Sequence, residues 1–157
     1  MNSDMFEATK ERELILYKQE VESATDPKLH ILIVHLYVEH LLERYLAVNL
    51  KTTKRLFGKN GLSFEKKLLI VEAMGGLTPQ LIDSIRKLNA LRNGCAHQFQ
   101  YKPTDEDLEA FGWTLGKIYA EIKSKVGKDK DLCMRRVCRR LCGMLARAVV
   151  DAEQSKI

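Results

Sequence analysis

The stretch LRNGCAHQF, residues 91–99, places several reactive side chains at the end of a strongly helical run. Arg92 and His97 are the two that could act together on a phosphate. Histidine, with an ordinary pKa of about 6.5, can give or take a proton near neutral pH, and a guanidinium can bind two phosphate oxygens at once. Cleavage of RNA through its own 2′-hydroxyl needs a base, an acid and positive charge on the phosphorane. The pair therefore matches the chemistry of an endoribonuclease.

The spacing of Arg92 and His97 does not bring them together on a regular helix. Five residues at roughly 100° each leave the two side chains about 140° apart. Gly94 could end the helix or adopt a left-handed conformation, which would fold His97 back toward Arg92. The alternative is an ordinary helix end, in which Asn93 or Gly94 closes the helix and His97 bonds the last carbonyls.

The hydrophobic pattern predicts an all-α, single-domain bundle of about six helices over residues 1–157. Every long segment has helical rather than alternating periodicity. Asp26 with Pro27, Ser63, Thr78 with Pro79, and Thr104 are signals for helix starts. The helix that begins at Pro27 is apolar around most of its circumference, so we expect it at the centre of the bundle. The predicted helices span about residues 3–23, 27–53, 64–74, 79–93, 104–126 and 132–152.

Glu39 is an acidic residue inside the nearly all-apolar central helix. Burial of a carboxylate without a partner is costly, so we expect Glu39 to pair with Arg92 or Asn93. A catalytic role, in which Glu39 orients the residues of the site, is the alternative.

The histidines and cysteines do not have the spacing of a metal site. Three histidines of the central helix recur every five residues and cannot share one face, and three cysteines near the carboxyl terminus lack a C-x2-C pattern. We therefore predict no metal and no cofactor. The cysteines are expected to pack in the core or at an interface, with a redox or metal role as the alternative. These residues are His30, His35 and His40, and Cys133, Cys138 and Cys142.

The net charge of +5 is concentrated near the carboxyl terminus. Residues 123–147 carry nine Lys and Arg against Asp129 and Asp131, a local +7, so the rest of the chain sums to −2. A basic helix face attracts phosphate in RNA, DNA or lipid, although a solvated charged face is also common. The predicted nucleic-acid-binding residues are Arg135, Arg136, Arg139 and Arg140.

Neither a membrane segment nor a secretion signal is recognisable in the sequence. No stretch reaches the roughly 18 uninterrupted apolar residues of a membrane helix, and MNSDMFEATKERE lacks the basic-then-apolar order of a secretion signal. We therefore expect a cytoplasmic protein without membrane association.

Three successive stretches resemble a known superfamily. LHILIVHLYVEHLLERYL with its internal acid, GLSFEKKLLIVEAMGGL, and LIDSIRKLNALRNGCAH are similar to the HEPN superfamily of α-helical nucleic-acid-associated domains. The order of elements resembles the branch of mannitol operon repressor (MltR)-like proteins. The resemblance covers about residues 27–101, and Arg92 with His97 matches the family's R-x4-6-H motif. It places a HEPN-like core at about residues 27–126 and leaves the basic helix at about 132–152 outside it.

The resemblance implies a domain that commonly dimerises and that, in catalytic members, is a metal-independent endoribonuclease using the arginine and the histidine. A two-fold dimer would bring two copies of Arg92 and His97 to one groove and so supply both acid and base. Asn93 and Glu39 are the expected supporting residues. Catalytic members that act as toxins have a cognate antitoxin as partner. MltR-like members instead resemble non-enzymatic regulators or protein-interaction modules. In the HepT toxin branch a tyrosine follows the histidine closely, but here the nearest tyrosine is Tyr101.

Overall fold

The computed structural model describes residues 2–156, with side-chain packing from Glu7 onward; Met1 and Ile157, the limits of the predicted domain, lie outside this range. The described residues form α-helices and connecting turns without strands, as the periodicity predicts. The elements are α1 (Asn2–Glu20), α2 (Pro27–Asn49), α3 (Phe64–Ala73), α4 (Pro79–His97), α5 (Asp105–Trp113), α6 (Lys117–Val126) and α7 (Lys130–Gln154).

The central position predicted for α2 is confirmed. It packs against α3, α4 and most extensively α7, and Tyr37 on α2 contacts Tyr17 on α1 edge to face, with 5.6 Å between ring centroids. Arg44 near the end of α2 binds Glu153 near the end of α7 through two hydrogen bonds of 3.0 and 2.9 Å. Because α2 is enclosed on most sides, His30 and His35 are both buried although they point in different directions.

The helix starts lie where the capping residues predict them. Asp26, Thr78 and Thr104 each accept a hydrogen bond from the backbone N–H three residues later, at 2.7, 3.3 and 3.1 Å, and Ser63 does the same at 3.4 Å. These bonds satisfy N–H groups that have no partner within the helix. The ends are less predictable, and α2 stops at Asn49 rather than near residue 53.

The prediction of a single helix over residues 104–126 is wrong, because the chain forms two helices there, α5 and α6. Gly116 has φ +57°, a left-handed conformation that favours glycine. The Thr114 hydroxyl donates to the Phe111 carbonyl at 2.6 Å and accepts from Ser84 of α4 at 2.6 Å. Leu115 is buried at the break. The break therefore redirects the chain so that α6 packs against α7 and also contacts α5.

Candidate functional site

An open groove of about 850 Å³ runs between α6 and α7 and is rich in positive charge. The inner face of α7 buries Val137, Leu141 and Leu145 in the core. Arg136, Arg140 and Arg147 also recur at helical spacing and form a second stripe of α7, rotated about 100° from the buried one, that faces solvent and α6. The charged residues that line the groove are Lys125, Arg136, Arg139, Arg140 and Arg147, together with one acid, Glu121.

The arginines of the groove differ in whether a carboxylate already pairs with them. Arg139 pairs with Glu22 at 3.4 Å, and Arg147 pairs with Asp151 at 3.0 Å. Among the described side chains, Arg136 and Arg140 form no ion pair and both are exposed. These two guanidiniums are therefore available to a bound phosphate, each with five N–H donors.

Arg135, expected with the other three, lies outside the groove and has a structural role. Its guanidinium donates to the carbonyls of Ala24 and Thr25 at 2.7 and 2.8 Å, and to Asp131 at 2.9 Å. It thereby fastens the turn between α1 and α2 to the start of α7. The groove itself includes Lys125 and Arg147, which the sequence interpretation did not single out.

Neither the bend considered at Gly94 nor the alternative helix end at Asn93 or Gly94 occurs, since α4 continues as a helix to His97. Arg92 and His97 therefore point about 140° apart. His97 is exposed at the helix end, and half-buried Arg92 donates to the Asn93 side-chain oxygen at 3.0 Å. Neither residue lines the α6–α7 groove. Within one chain the structure does not bring the two motif residues together.

The glycine at position 94 is explained by packing rather than by bending. A Cβ atom there would lie 2.4 Å from Cζ of Tyr101, whose ring folds back over the end of α4. The Tyr101 hydroxyl is 3.4 Å from an Asp107 carboxylate oxygen. Gly94 therefore provides the space in which the chain after α4 returns toward α5.

Glu39 has a different partner from the one expected. It accepts a hydrogen bond from Lys67 of α3 at 2.7 Å, and Glu43 accepts another from the same ammonium at 2.6 Å. Burial lowers the pKa of Lys67, but the hydrogen bonds that its ammonium donates to the two carboxylates, together with their negative charge, outweigh burial and the net shift is upward. The predicted pairing of Glu39 with Arg92 or Asn93 is therefore wrong, and Glu39 joins α2 to α3.

A second polar pair joins α2 to α4 within the core. His35 Nε2 lies 2.9 Å from Asn89 Oδ1, and the His35 ring stacks on Phe64 with 4.1 Å between centroids. Burial is the largest cause lowering the pKa of His35, and Arg92 adds to the effect, so the neutral ring is favoured. In that form Nε2–H donates to the amide oxygen. Asn89 was missed by the sequence interpretation because a single Asn inside a helix carries no local signal.

The cysteines have the packing role that the sequence favours. Cys95, Cys138 and Cys142 are buried and Cys133 is partly buried; all four are free thiols. Burial raises the pKa of Cys138 to about 12, which keeps that thiol protonated. Among the side chains that the structure describes, from Glu7 to Lys156, no three His, Cys, Asp or Glu are grouped closely enough to hold a metal ion. No helix within residues 2–156 is long and apolar enough to span a membrane.

Comparison of the chain with protein-family models, curated proteins and solved structures gives no match.

Proposed function

We propose that the protein binds RNA through the groove between α6 and α7. The observation that carries this proposal is the exposure of Arg136 and Arg140 in an open groove without carboxylate partners among the described side chains. Lys125 of α6 faces them from the opposite wall. Four arginines on α7 and Lys125 on α6, against the single acid Glu121, suit a sugar–phosphate chain, which carries a charge on every nucleotide. The sequence has no recognisable helix-turn-helix signature that would favour duplex DNA.

The floor of the groove gives the bound chain a second kind of contact. Ile118, Ile122 and Met144 line it between the charged residues. Unpaired bases present apolar faces, whereas a duplex hides them. Single-stranded RNA would therefore place phosphates against the arginines and bases against the apolar floor. We expect little base specificity, because these side chains offer no hydrogen-bond pattern to base edges.

The test is a comparison of two double variants with the same loss of charge. Arg136→Gln/Arg140→Gln removes the unpaired cations of the groove, and Lys54→Gln/Lys59→Gln removes two exposed cations of the α2–α3 connection. We expect the groove variant to bind a single-stranded RNA about tenfold or more weakly at 0.1 M salt. Its plot of log affinity against log salt should lose about 1.4 units of slope, since each phosphate contact contributes roughly 0.7. Equal effects of the two variants would show that only the net charge matters, and would refute the groove.

A second candidate function is metal-independent RNA cleavage by Arg92 and His97 across a homodimer. Exposed groups at the end of α4 favour it: His97 is exposed, Phe99 is 95% exposed and available to stack on a base, and Arg92 forms no ion pair among the described side chains. Because the two side chains diverge on α4, a shared site requires Arg92 of one chain and His97 of another. A non-enzymatic regulator or partner-binding module, with the motif as a structural helix end, is the alternative.

Cleavage and binding are separated by His97→Ala. If His97 transfers protons, this variant should lose cleavage but keep nearly the wild-type RNA affinity, because a neutral imidazole adds little to ground-state binding. Cleavage should persist in EDTA and require a dimeric species at micromolar concentration. An absence of cleavage by the wild-type protein between about pH 6 and 8 would favour the regulator or partner-binding alternative.

A further inference from the structure

Gly143 lies in the middle of α7, where neither backbone conformation nor packing requires a glycine. Of the nine glycines of the chain, each of the others either has a left-handed backbone or lies so close to another group that a Cβ atom would not fit. A Cβ atom at Gly143 would meet nothing within 4 Å. Glycine inside a helix is less stable than alanine. The fold alone therefore gives no reason for bare backbone at this position.

Gly143 is the point at which two depressions of the surface meet. It lines the α6–α7 groove and also a cleft between α1 and α7. Because successive residues of a helix are turned by about 100°, Cys142 lies on the side of the cleft, Met144 lies on the side of the groove, and exposed Gly143 lies between them. Arg139 and Arg147, about one turn to either side, also line both depressions. This part of α7 is therefore a ridge with a notch at Gly143.

The α1–α7 cleft is apolar and has the size of a small ring system. Its walls include Leu14 of α1 and Ala146 and Val150 of α7. The nearly buried rings of Tyr17 and Tyr37 also line it and meet edge to face, with 5.6 Å between centroids. Small-molecule sites span roughly 300–1,000 Å³, and the cleft, at about 270 Å³, is at the lower edge of that range. It admits one planar ring system but not a helix.

The charged side chains around the cleft already have partners, so we expect an uncharged occupant. Lys10 pairs with Glu7 at 3.7 Å, and Glu13 is engaged by Arg44 and by the Tyr37 hydroxyl. The two arginines of the ridge have the carboxylate partners given above. The cleft therefore offers little to an anion. A nucleobase suits it better, since a base is uncharged and has two flat faces that bind apolar and aromatic side chains.

We propose that one nucleotide of a single-stranded RNA bound in the α6–α7 groove places its base across the notch at Gly143 and into the α1–α7 cleft. The inference rests on the RNA binding proposed above and specifies how one nucleotide is held. The phosphates remain with Arg136 and Arg140, while the base lies against Leu14 and Val150. A duplex keeps its bases paired and cannot supply one, so this site favours single strands.

Two oligomers of equal length and charge separate the base from the backbone. One is a short oligouridylate, and the other has an abasic sugar at every position. Their binding to the full chain is followed by the methyl chemical shifts of Leu14 and Val150 in the cleft and of Ile118 in the groove. We expect both oligomers to shift Ile118 but only the oligouridylate to shift Leu14 and Val150. Cleft signals that do not respond to the oligouridylate would overturn the proposal.

Two substitutions fill the path of the base. Ala146 lines the cleft but not the groove, so Ala146→Leu should weaken oligouridylate binding about tenfold. It should leave both the affinity for the abasic oligomer and the salt dependence of binding unchanged. Gly143→Leu closes the notch and should weaken oligouridylate binding to a similar extent. Ala90→Leu, at an exposed position of α4, is the matched control and should bind both oligomers as wild type does.

The outcomes distinguish the base site from RNA binding itself. If the wild-type protein binds neither oligomer, the groove is wrong and the base site falls with it. If oligouridylate binding depends on Arg136 and Arg140 but Ala146→Leu and Gly143→Leu bind as tightly as wild type, the groove stands and the base site is refuted. Circular dichroism and thermal unfolding establish that each variant is folded. If Ala146→Leu is unstable, the methyl shifts of the wild-type protein decide the question.

Discussion

Glu39 accepts a hydrogen bond from Lys67 with 2.7 Å between Oε1 and Nζ, and the lysine side chain is only 5% exposed. Glu43 binds the same ammonium from the next turn of α2. Lys67→Met would leave two carboxylates close together without their cation. We expect a loss of about 2–3 kcal/mol in the free energy of unfolding, somewhat less than for a fully buried pair because both carboxylates reach solvent. Urea denaturation measures this loss.

The neighbouring residue provides the control for Lys67→Met. Lys66 is exposed on the same helix, so Lys66→Met should change stability by less than about 0.5 kcal/mol. Adding Glu39→Gln to Lys67→Met should restore part of the loss, because it removes the repulsion between Glu39 and Glu43. If the two lysine variants are equally stable, the cluster contributes nothing to the fold.

Two helical glycines should respond in opposite ways to replacement by alanine. Gly143→Ala adds a methyl group in open space, and alanine is the better helix former, so we expect stabilisation of about 0.5–1 kcal/mol. Gly94→Ala meets the Tyr101 ring and should be less favourable than Gly143→Ala by about 1–2 kcal/mol. Thermal unfolding compares the two. In a Tyr101→Ala background Gly94→Ala should lose this penalty, and a penalty that persists there would mean that the ring is not its cause.

Substitutions at Arg135 and at Arg140 should affect stability and RNA binding differently. Arg135→Gln loses hydrogen bonds to two backbone carbonyls, and we expect destabilisation of about 1–3 kcal/mol. Arg140 is exposed, so Arg140→Gln should alter stability by less than about 0.5 kcal/mol but weaken RNA binding. Denaturation and RNA titration of both variants test this. An Arg135→Gln protein with wild-type stability would contradict the fastening role of that residue.

The buried histidine of α2 makes stability depend on pH. Burial, with a smaller effect from Arg135, lowers the pKa of His30 from 6.5 to about 4. The unfolded chain therefore binds a proton at His30 at a higher pH than the folded chain does. The contribution of His30 to the free energy of unfolding is fully present above about pH 6.5 and falls progressively toward pH 4, by at most about 3 kcal/mol.

The variant His30→Leu isolates this dependence of stability on pH. Its stability is measured by denaturation at several pH values. It should lose less stability than wild type between pH 6.5 and 4, while the carboxylates titrate in both proteins. His40→Leu, at an exposed position of the same helix, is the control and should follow the wild-type profile. Identical profiles for His30→Leu and wild type would show that His30 is accessible to protons in the folded state.

The helical fold and its starting points could be predicted because their signals are local. A cap such as Thr78 bonds a backbone N–H only three residues away, so both partners lie within one short stretch of sequence. The break at Gly116 was missed because the adjacent Thr114 hydroxyl is held by Ser84, 30 residues earlier. The hydrophobic periodicity alone does not reveal such a break.

The pairing of charged side chains could not be predicted, because the partners come from distant parts of the chain. Glu39 binds a lysine 28 residues later, and Arg135 binds a carbonyl 111 residues earlier. The basic face of α7 was recognisable from its composition, but which arginines remain unpaired depends on the neighbouring helices. The Arg92 and His97 motif still has the status of a sequence prediction, since its chemistry needs a second chain.

The pairing of α2 with α7 constrains the order in which the chain can fold as it is synthesised. Arg44 and Glu153, which join the ends of these helices, are separated by 109 residues. A ribosome needs roughly 5–20 s to add that many residues. During this interval α2, the most apolar helix of the protein, has been synthesised, but α7, the helix that it packs against most extensively, is not yet complete. Nascent chains that lack α7 therefore expose the face of α2 that later becomes the core, and this face is the surface that a ribosome-associated chaperone would cover.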